Sequence, residues 1–530
     1  MRMRYRDELR HLFGPSAMRA GCFLVIAALC PIRGALANSY YISYSMGSNS
    51  NPGTQALPWK THPYMPSASA CTGSGSAPTY AHTAGDRFIF RGGDIWPNAC
   101  LPLAPSVGGS SGAYDYYGVD QTWYAAACGA AWCRPIIDSG GVQVSGNNIE
   151  FDMGKSVSPS YITVDNFEFR NHYWIGTTTW QQNTTILCPN TGALVENNYI
   201  HGWTHALYGS GATPDSYSAI MCAGITTSTV ITANTISNSD QAADSGVAIR
   251  GAVTISNNTI HDVPNGILSL AVMVSGNVVY NINQDYDPTE HENCIETWLA
   301  SSGTGYLIDN VCHDTVASSQ GLEFGPNQSN DTFYWINNVF WNINWGPPAL
   351  IDNGGSGGCG SGCPQTTTYH LWNNTFVSNA APASACVRVL YRGNGNVGTL
   401  DMQNNHCITS AGVGAAGLVA FDSGITANTL TTAPVVVQTP SAATSQGYVI
   451  ANSFRPTSHG DATVGAGNNL SSSCSGLLGP LCSDASGYWN MNALGIGNGI
   501  NNTRTAVWDV GSYQFQPGPA PPTGLTAVPH

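Results

Sequence analysis

Lysine is almost missing from this sequence: Lys60 and Lys155 are the two among 530 residues. Charged residues of all kinds make up 9%, against about 25% in an ordinary soluble domain. What charge there is leans acidic, with 31 Asp and Glu to 17 Lys and Arg. A chain so poor in cations is a poor partner for phosphate backbones or anionic lipid, which excludes nucleic acid and a charged membrane surface as ligands. No apolar stripe at helical spacing follows the first forty residues, so helix bundles are excluded. No nucleotide-binding glycine loop and no Gly-x-Ser-x-Gly elbow is present. Disorder is excluded too, because hydrophobic residues reach 42% and aromatics 10%,.

At the N-terminus, Arg2, Arg4, Arg6, Arg10 and Arg19 precede an apolar run from Cys22 to Cys30. Ala35-Leu36-Ala37 then supplies a small-x-small cleavage pattern. Residues 1–37 are predicted to be a secretory signal peptide. The run is too short to span a bilayer. The leader takes 6 of the basic and 2 of the acidic residues, leaving 11 against 29 and a net charge of −18. Sixteen cysteines become fourteen after cleavage. An even number in an exported chain predicts disulfides. Sequential pairing gives Cys71/Cys100, Cys128/Cys133, Cys188/Cys222, Cys294/Cys312, Cys359/Cys363, Cys386/Cys407 and Cys474/Cys482.

What is abundant is a repeated phrase. Asn257-Asn258-Thr259-Ile260-His261-Asp262 returns as Gly276-Asn277-Val278-Val279-Tyr280-Asn281. It returns again as Asp309-Asn310-Val311-Cys312-His313-Asp314 and Asn337-Asn338-Val339-Phe340-Trp341-Asn342. The key asparagines are Asn198, Asn234, Asn258, Asn277, Asn310, Asn338, Asn374 and Asn405, at separations of 36, 24, 19, 33, 28, 36 and 31. A period that varies by insertion is the mark of a coil with loops growing from it. The apolar runs between are short, β-branched and bounded by Gly, Asn, Asp or Ser, which predicts strands. Short strands bury their apolar side only by stacking, so a solenoid of parallel strands is expected. Asn suits its tight corners, since it tolerates left-handed angles, and stacked Asn side chains can share hydrogen bonds from rung to rung.

These residues resemble the right-handed parallel β-helix, or pectate-lyase-like, superfamily of secreted bacterial proteins. Tyr40-Tyr41-Ile42-Ser43 with Gly47 to Thr54 and Pro58-Trp59-Lys60-Thr61 is similar to the start of many such chains. Gly85 to Gly93 is similar to their first coil, and Trp508-Asp509-Val510-Gly511-Ser512-Tyr513 to their closing strand. The resemblance covers about Ser39 to Phe515. It implies an all-β right-handed parallel β-helix with a loop-rich N-terminal cap and an extended C-terminal tail. The expected division is 38–136 for the opening coils and cap, 137–408 for the main helix, 409–515 for late coils with insertions, and 516–530 for a Pro-rich tail. The resemblance implies no single activity, because this fold carries lyases, hydrolases, epimerases and inert stalks. The lysine or arginine motif of a pectate lyase is missing, as are the paired-Asp and Gly-His-Gly motifs of polygalacturonase-like hydrolases.

Chemistry concentrates in one place. Seven glutamates follow the leader, and four of them lie between Glu290 and Glu323. Aligning the second recurring strand by Val247, Ile267, Ile295 and Leu322 puts Ala248, Leu268, Glu296 and Glu323 in one outward column. Equivalent positions on stacked strands lie about 4.8 Å apart, and two carboxylates so close share a proton or hold a cation between them. Three roles fit. Asp285, Asp287, Glu290 and Glu292, with Glu296, could hold Ca2+ through oxygen ligands. Glu296 and Glu323 could be the carboxyl pair of glycoside hydrolysis. A polysaccharide lyase would instead need a base, for which Arg250, Arg388 and His291 are the candidates. Trp298 and Asn293 are expected to contact sugar, and Trp174, Trp180, Trp203, Trp341 and Trp345 are further candidate platforms. The column His201, His261, Tyr280, His313, Trp341 reads as a corner stack. The expected partner is an extracellular polysaccharide. The alternative is a non-catalytic structural, adhesive or filament-forming surface protein that self-associates.

Overall fold

The computed structural model describes residues 37–515 apart from 155–158, 175–182, 190, 206–217, 223–227, 238–245, 252–253, 270–271, 283–292, 299–302, 316–319, 326–329, 345, 353–365, 379–383, 391–395, 413, 471–472, 474–488, 491–502 and 505–506. Three long sheets of 13, 12 and 10 strands wrap one core, and every neighbouring pair in them is parallel. One turn of the coil shows the path. Thr254–Ser256 lies in sheet A, Thr259–Val263 in sheet B, and Asn265–Ser269 in sheet C. Met273–Ser275 then returns to sheet A one rung on. This is a right-handed parallel β-helix.

The corner between sheets A and B explains the repeated phrase. Two residues share the work there. The first adopts a left-handed backbone: Asn197, Ala233, Asn257, Gly276, Asp309, Asn337, Asn373 and Asn404 all have φ between 56 and 66°. The second is the ladder asparagine, which keeps an ordinary backbone. The sequence reading gave both tasks to one residue; they fall on neighbours. Each ladder Asn donates Nδ2 to the Oδ1 of the next, from Asn198 through to Asn405, at 2.9–3.0 Å. Each backbone N–H donates to that same oxygen at 2.9–3.1 Å. Buried polar groups that would otherwise be costly are thereby satisfied.

The core runs unbroken from Ile42 to Ala427, filled by β-branched and aromatic side chains. Cys71–Cys100, Cys128–Cys133, Cys188–Cys222, Cys294–Cys312 and Cys386–Cys407 are disulfides. The last two tie the sheet C side of the coil to sheet B through the interior. Cys359, Cys363, Cys474 and Cys482 lie outside the described residues.

The final rung uses Val419–Phe421, Ala427–Thr431 and Val435–Gln438. Residues 440–470 and 507–515, expected from sequence within late coils, add nothing to the three sheets. They lie against the outside of the helix instead. The short helix Pro440–Ser445, Tyr448, Phe454 and Tyr513 cover Val339, Trp341, Val377 and Ile408 of sheet B. Leu470 and Trp508 cover Ile308, Ile336 and Trp372 of sheet A. Outward apolar residues on those rungs create this need for a cover. The return segment is pinned to the A–B corner: Ser512 Oγ donates to the Asn338 carbonyl at 2.6 Å, and the Gly511 N–H to that of Asn404 at 2.6 Å.

Candidate functional site

Sheet C carries the column that sequence analysis singled out. Ile249, Ile267, Ile295 and Leu322 occupy one register line, so the residue after each forms the next. That line reads Arg250, Leu268, Glu296, Glu323, Leu350, Arg388. The sequence alignment had placed Val247 and Ala248 on the first of these rungs; the true partners are two residues later. A slip of two preserves the alternation of faces, and it brings Arg250 into the same column as the glutamates. Glu296 and Glu323 are therefore one rung apart, with Arg250 two rungs before the first and Arg388 two rungs after the second.

Local contacts set the character of each group. Glu296 is half-buried, and its Oε2 accepts from Asn293 Nδ2 at 3.1 Å. Asn293 is itself buried, its N–H donating to Asn265 Oδ1 at 2.8 Å. Arg250 is buried at 5% exposure. Arg388 donates from Nε to Asp422 Oδ1 at 2.9 Å. The side chains of Glu323 and Trp298, and the whole of Asp285, Asp287, Glu290, His291 and Glu292, lie outside what is described. So do Trp180 and Trp345 and the side chain of Trp174. Among the described residues no three His, Cys, Asp or Glu side chains gather as a metal site.

Two of the expected tryptophan platforms are not exposed. Trp203 is 1% exposed within the core. Trp341 is 7% exposed, stacked on His313 at 4.3 Å and capped by Phe454 at 6.0 Å. The covering residue comes from the return segment, which the repeat pattern does not reveal.

On sheet B the aromatic column forms from His261 to Trp341, while Ser237 separates His201 from it. His201, Ser237, His261, Tyr280, His313 and Trp341 share one register line. The rings from His261 to Trp341 stack at 4.3–5.0 Å with planes within 11°. Beside them runs a second left-handed corner, Asp262, Asn281, Asp314 and Asn342. His261 Nδ1 meets Asp262 Oδ2 at 2.6 Å, and His313 Nδ1 meets Asp314 Oδ2 at 2.7 Å. Burial alone would raise the Asp314 carboxyl, but hydrogen bonds from Asn342 and His313 outweigh it and hold it below the usual range. Only ring edges face outward in such a stack, so it braces the corner rather than offering a flat face to a sugar.

One polar pair escaped sequence analysis. Glu150 and His172 are buried inside the coil, with Glu150 Oε1 and His172 Nδ1 at 3.7 Å. Burial pushes the Glu150 carboxyl well above its ordinary range and the His172 imidazole down to about 3. Burial thus favours the uncharged form of each,. Strict alternation along Ile149-Glu150-Phe151 puts Glu150 outside. At the B–C corner alternation fails: Cys294 and Ile295 are consecutive and both belong to the core. Glu150 stands at the position equivalent to Cys294, since Ile149 and Phe151 pair with Thr184 and Ile186.

No family model and no curated protein matches the chain. Among solved structures it is similar to XylC in complex with xylose, at 13% identity and a TM-score of 0.38, over 76% of this chain and 86% of the other. It is similar to a GH136 lacto-N-biosidase from Eubacterium ramulus, at 11% identity and 0.36, over 80% and 70%. A rhamnogalacturonan lyase is similar at 11% and 0.32, over 76% and 87%. Three stacks of parallel rungs around one core, and not likeness in sequence, make this chain a right-handed parallel β-helix.

Proposed function

We propose that the chain is an exported protein that cleaves an extracellular polysaccharide at the outward face of sheet C, with Glu296 and Glu323 as the reacting pair. The observation that carries this reading is their register: direct partners on adjacent strands. Adjacent rungs are about 4.8 Å apart. Retaining glycoside hydrolases hold their two carboxyl groups about 5–5.5 Å apart, and inverting ones about 6.5–9.5 Å. One rung suits the first; two rungs suit the second. Glu296, which accepts a hydrogen bond from Asn293, is assigned as nucleophile, because that bond favours its ionised form. Its oxygen attacks the anomeric carbon while Glu323 gives a proton to the departing glycosidic oxygen. Glu323 then takes a proton from the water that releases the sugar from Glu296.

The two arginines are assigned to hydroxyl or carboxylate groups of the chain on either side of the cleaved bond. Arg388 is already engaged by Asp422, which suits it to holding a ligand group rather than to acting as the base of a lyase. Asp285, Asp287, Glu290 and Glu292 precede the Glu296 strand in sequence, and we assign them to a Ca2+ ion that would order the approach to it. His291 and Trp298, the neighbours of this group along the chain, are assigned to substrate contact. Export is supported by the leader pattern and by five disulfides, and among the described residues no helix is long and apolar enough to cross a membrane. The test is the Glu296→Gln and Glu323→Gln pair against a panel of glycans. Each is expected to lower turnover by about 10²–10⁴-fold; wild-type rates in both would refute the assignment.

A further inference from the structure

Asp86 is fully buried at the start of the second rung of sheet A. Its Oδ2 accepts from Tyr80 Oη at 2.8 Å and from the Thr83 N–H at 3.0 Å. Its Oδ1 accepts from the backbone N–H of Asn38 at 2.8 Å and from Asn38 Nδ2 at 3.3 Å. Among the described residues no Lys, Arg or His forms an ion pair with it. All four donors to Asp86 are uncharged amide or hydroxyl groups. Its one main-chain partner ahead of the first strand is the residue that directly follows Ala35-Leu36-Ala37. Ala37 and Asn38 are both exposed, and Asn38 is already anchored, its carbonyl accepting from the Arg87 N–H at 2.7 Å.

We infer that cleavage between Ala37 and Asn38 creates the missing cation: the new α-ammonium of Asn38 pairs with Asp86 and locks the first rung of the helix. A signal peptidase adds one water across the peptide bond. Ala37 leaves as a carboxylate, and the Asn38 nitrogen becomes an amine that takes up a proton. This rests on the export reading above. The processed chain would thus carry an ion pair where the unprocessed chain has only an amide hydrogen bond to the carboxylate, and export would be coupled to stability of the open N-terminal end.

The full chain with its leader is expressed in an exporting host, alongside Asp86→Asn and a form with one alanine inserted after Ala37. The insertion keeps Asp86 and moves the amine one residue away. Intact mass gives the first residue, and acylation by a small amine reagent at pH 7 gives the reactivity of the α-amino group. Each unit by which the ion pair raises the α-amino pKa above about 7.7–8.0 cuts the free-amine fraction about tenfold at that pH. The expected result is a chain starting at Asn38 whose α-amine reacts about tenfold more slowly than in either variant, and which melts several degrees higher. The advantage over the insertion form is present below the unfolded α-amino pKa and is lost as pH rises through the folded one. Asp115, which holds His82, and Tyr80, Tyr40 and Tyr117 also face Asp86, but they are shared by both forms and cancel in the difference. A retained leader overturns both the inference and the export reading, and a leader cut elsewhere overturns the inference alone. A start at Asn38 with equal reactivity and melting in the native and insertion forms overturns the ion pair alone.

Discussion

Replacing Asn310 by alanine removes one step from the middle of the asparagine ladder. The side chain makes four hydrogen bonds: Nδ2 donates to Asn338 Oδ1 at 3.0 Å and the Val274 carbonyl at 2.9 Å, while Oδ1 accepts from Asn277 N–H at 3.1 Å and Nδ2 at 3.0 Å. Not all partners are stranded by its loss. Asn338 Oδ1 keeps the Asn310 N–H at 2.9 Å, and Asn277 Nδ2 keeps the Ile255 and Ser275 carbonyls. The Asn277 N–H is left without an acceptor and the Val274 carbonyl keeps only its partner in the sheet A ladder, in a place with no access to solvent. Each such group costs about 1–3 kcal/mol, and a water entering the vacated space relieves part of it. The expected loss is about 2–4 kcal/mol by the same reckoning. Denaturant unfolding followed by tryptophan fluorescence measures it. Asn428→Ala, at an exposed position, is the control and should stay within about 0.5 kcal/mol. If Asn310→Ala costs no more than this control, the ladder contributes nothing and the account of the corner fails.

Glu150→Gln should stabilise the protein at neutral pH. Burial raises the Glu150 carboxyl in the fold, so its contribution is full below the unfolded value of about 4.3 and is lost as pH rises. The gain in melting temperature should be absent at pH 4 and grow toward pH 8; a gain independent of pH would contradict it. His172 slopes the other way. Held at about 3 by burial, it takes a proton on unfolding below about 6.5, so His172→Gln should lessen acid destabilisation between those values in a pH series of melts. Replacing Cys294 and Cys312 together by alanine opens a loop with a separation of 18 residues and should cost about 3 kcal/mol, read as a lower denaturant midpoint. Gly511→Ala should free the return segment, because Gly511 is left-handed at φ 89° and an added Cβ would meet His406 and Thr375 at 2.9 Å. Limited proteolysis should then cut within 455–515 while strand content by circular dichroism holds.

The solenoid was legible because its signal is repeated. Eight asparagines, each with an apolar residue at a fixed offset, mark the A–B corner so strongly that insertions between them do no harm. The aromatic column of sheet B followed from the same phrase. Sheet C was harder, since its strands lack a marker residue; the first rung slipped by two, from Ile249 to Val247. The Glu150 pair was hidden by a corner where two consecutive residues turn inward. The cover over Trp341 was hidden because Phe454 and Tyr513 are far away in sequence and belong to no repeat. What stacks in register can be read from one chain, whereas what folds back across the stack cannot.

The central claim is that two carboxylates one rung apart form a reacting pair. Its most direct test is the anomeric configuration of the first product, followed by proton NMR on whichever glycan of a panel the protein cleaves. Spacing by a single rung predicts a product that keeps the configuration of the substrate. An inverted product, an unsaturated one, or no cleavage of any glycan would contradict it.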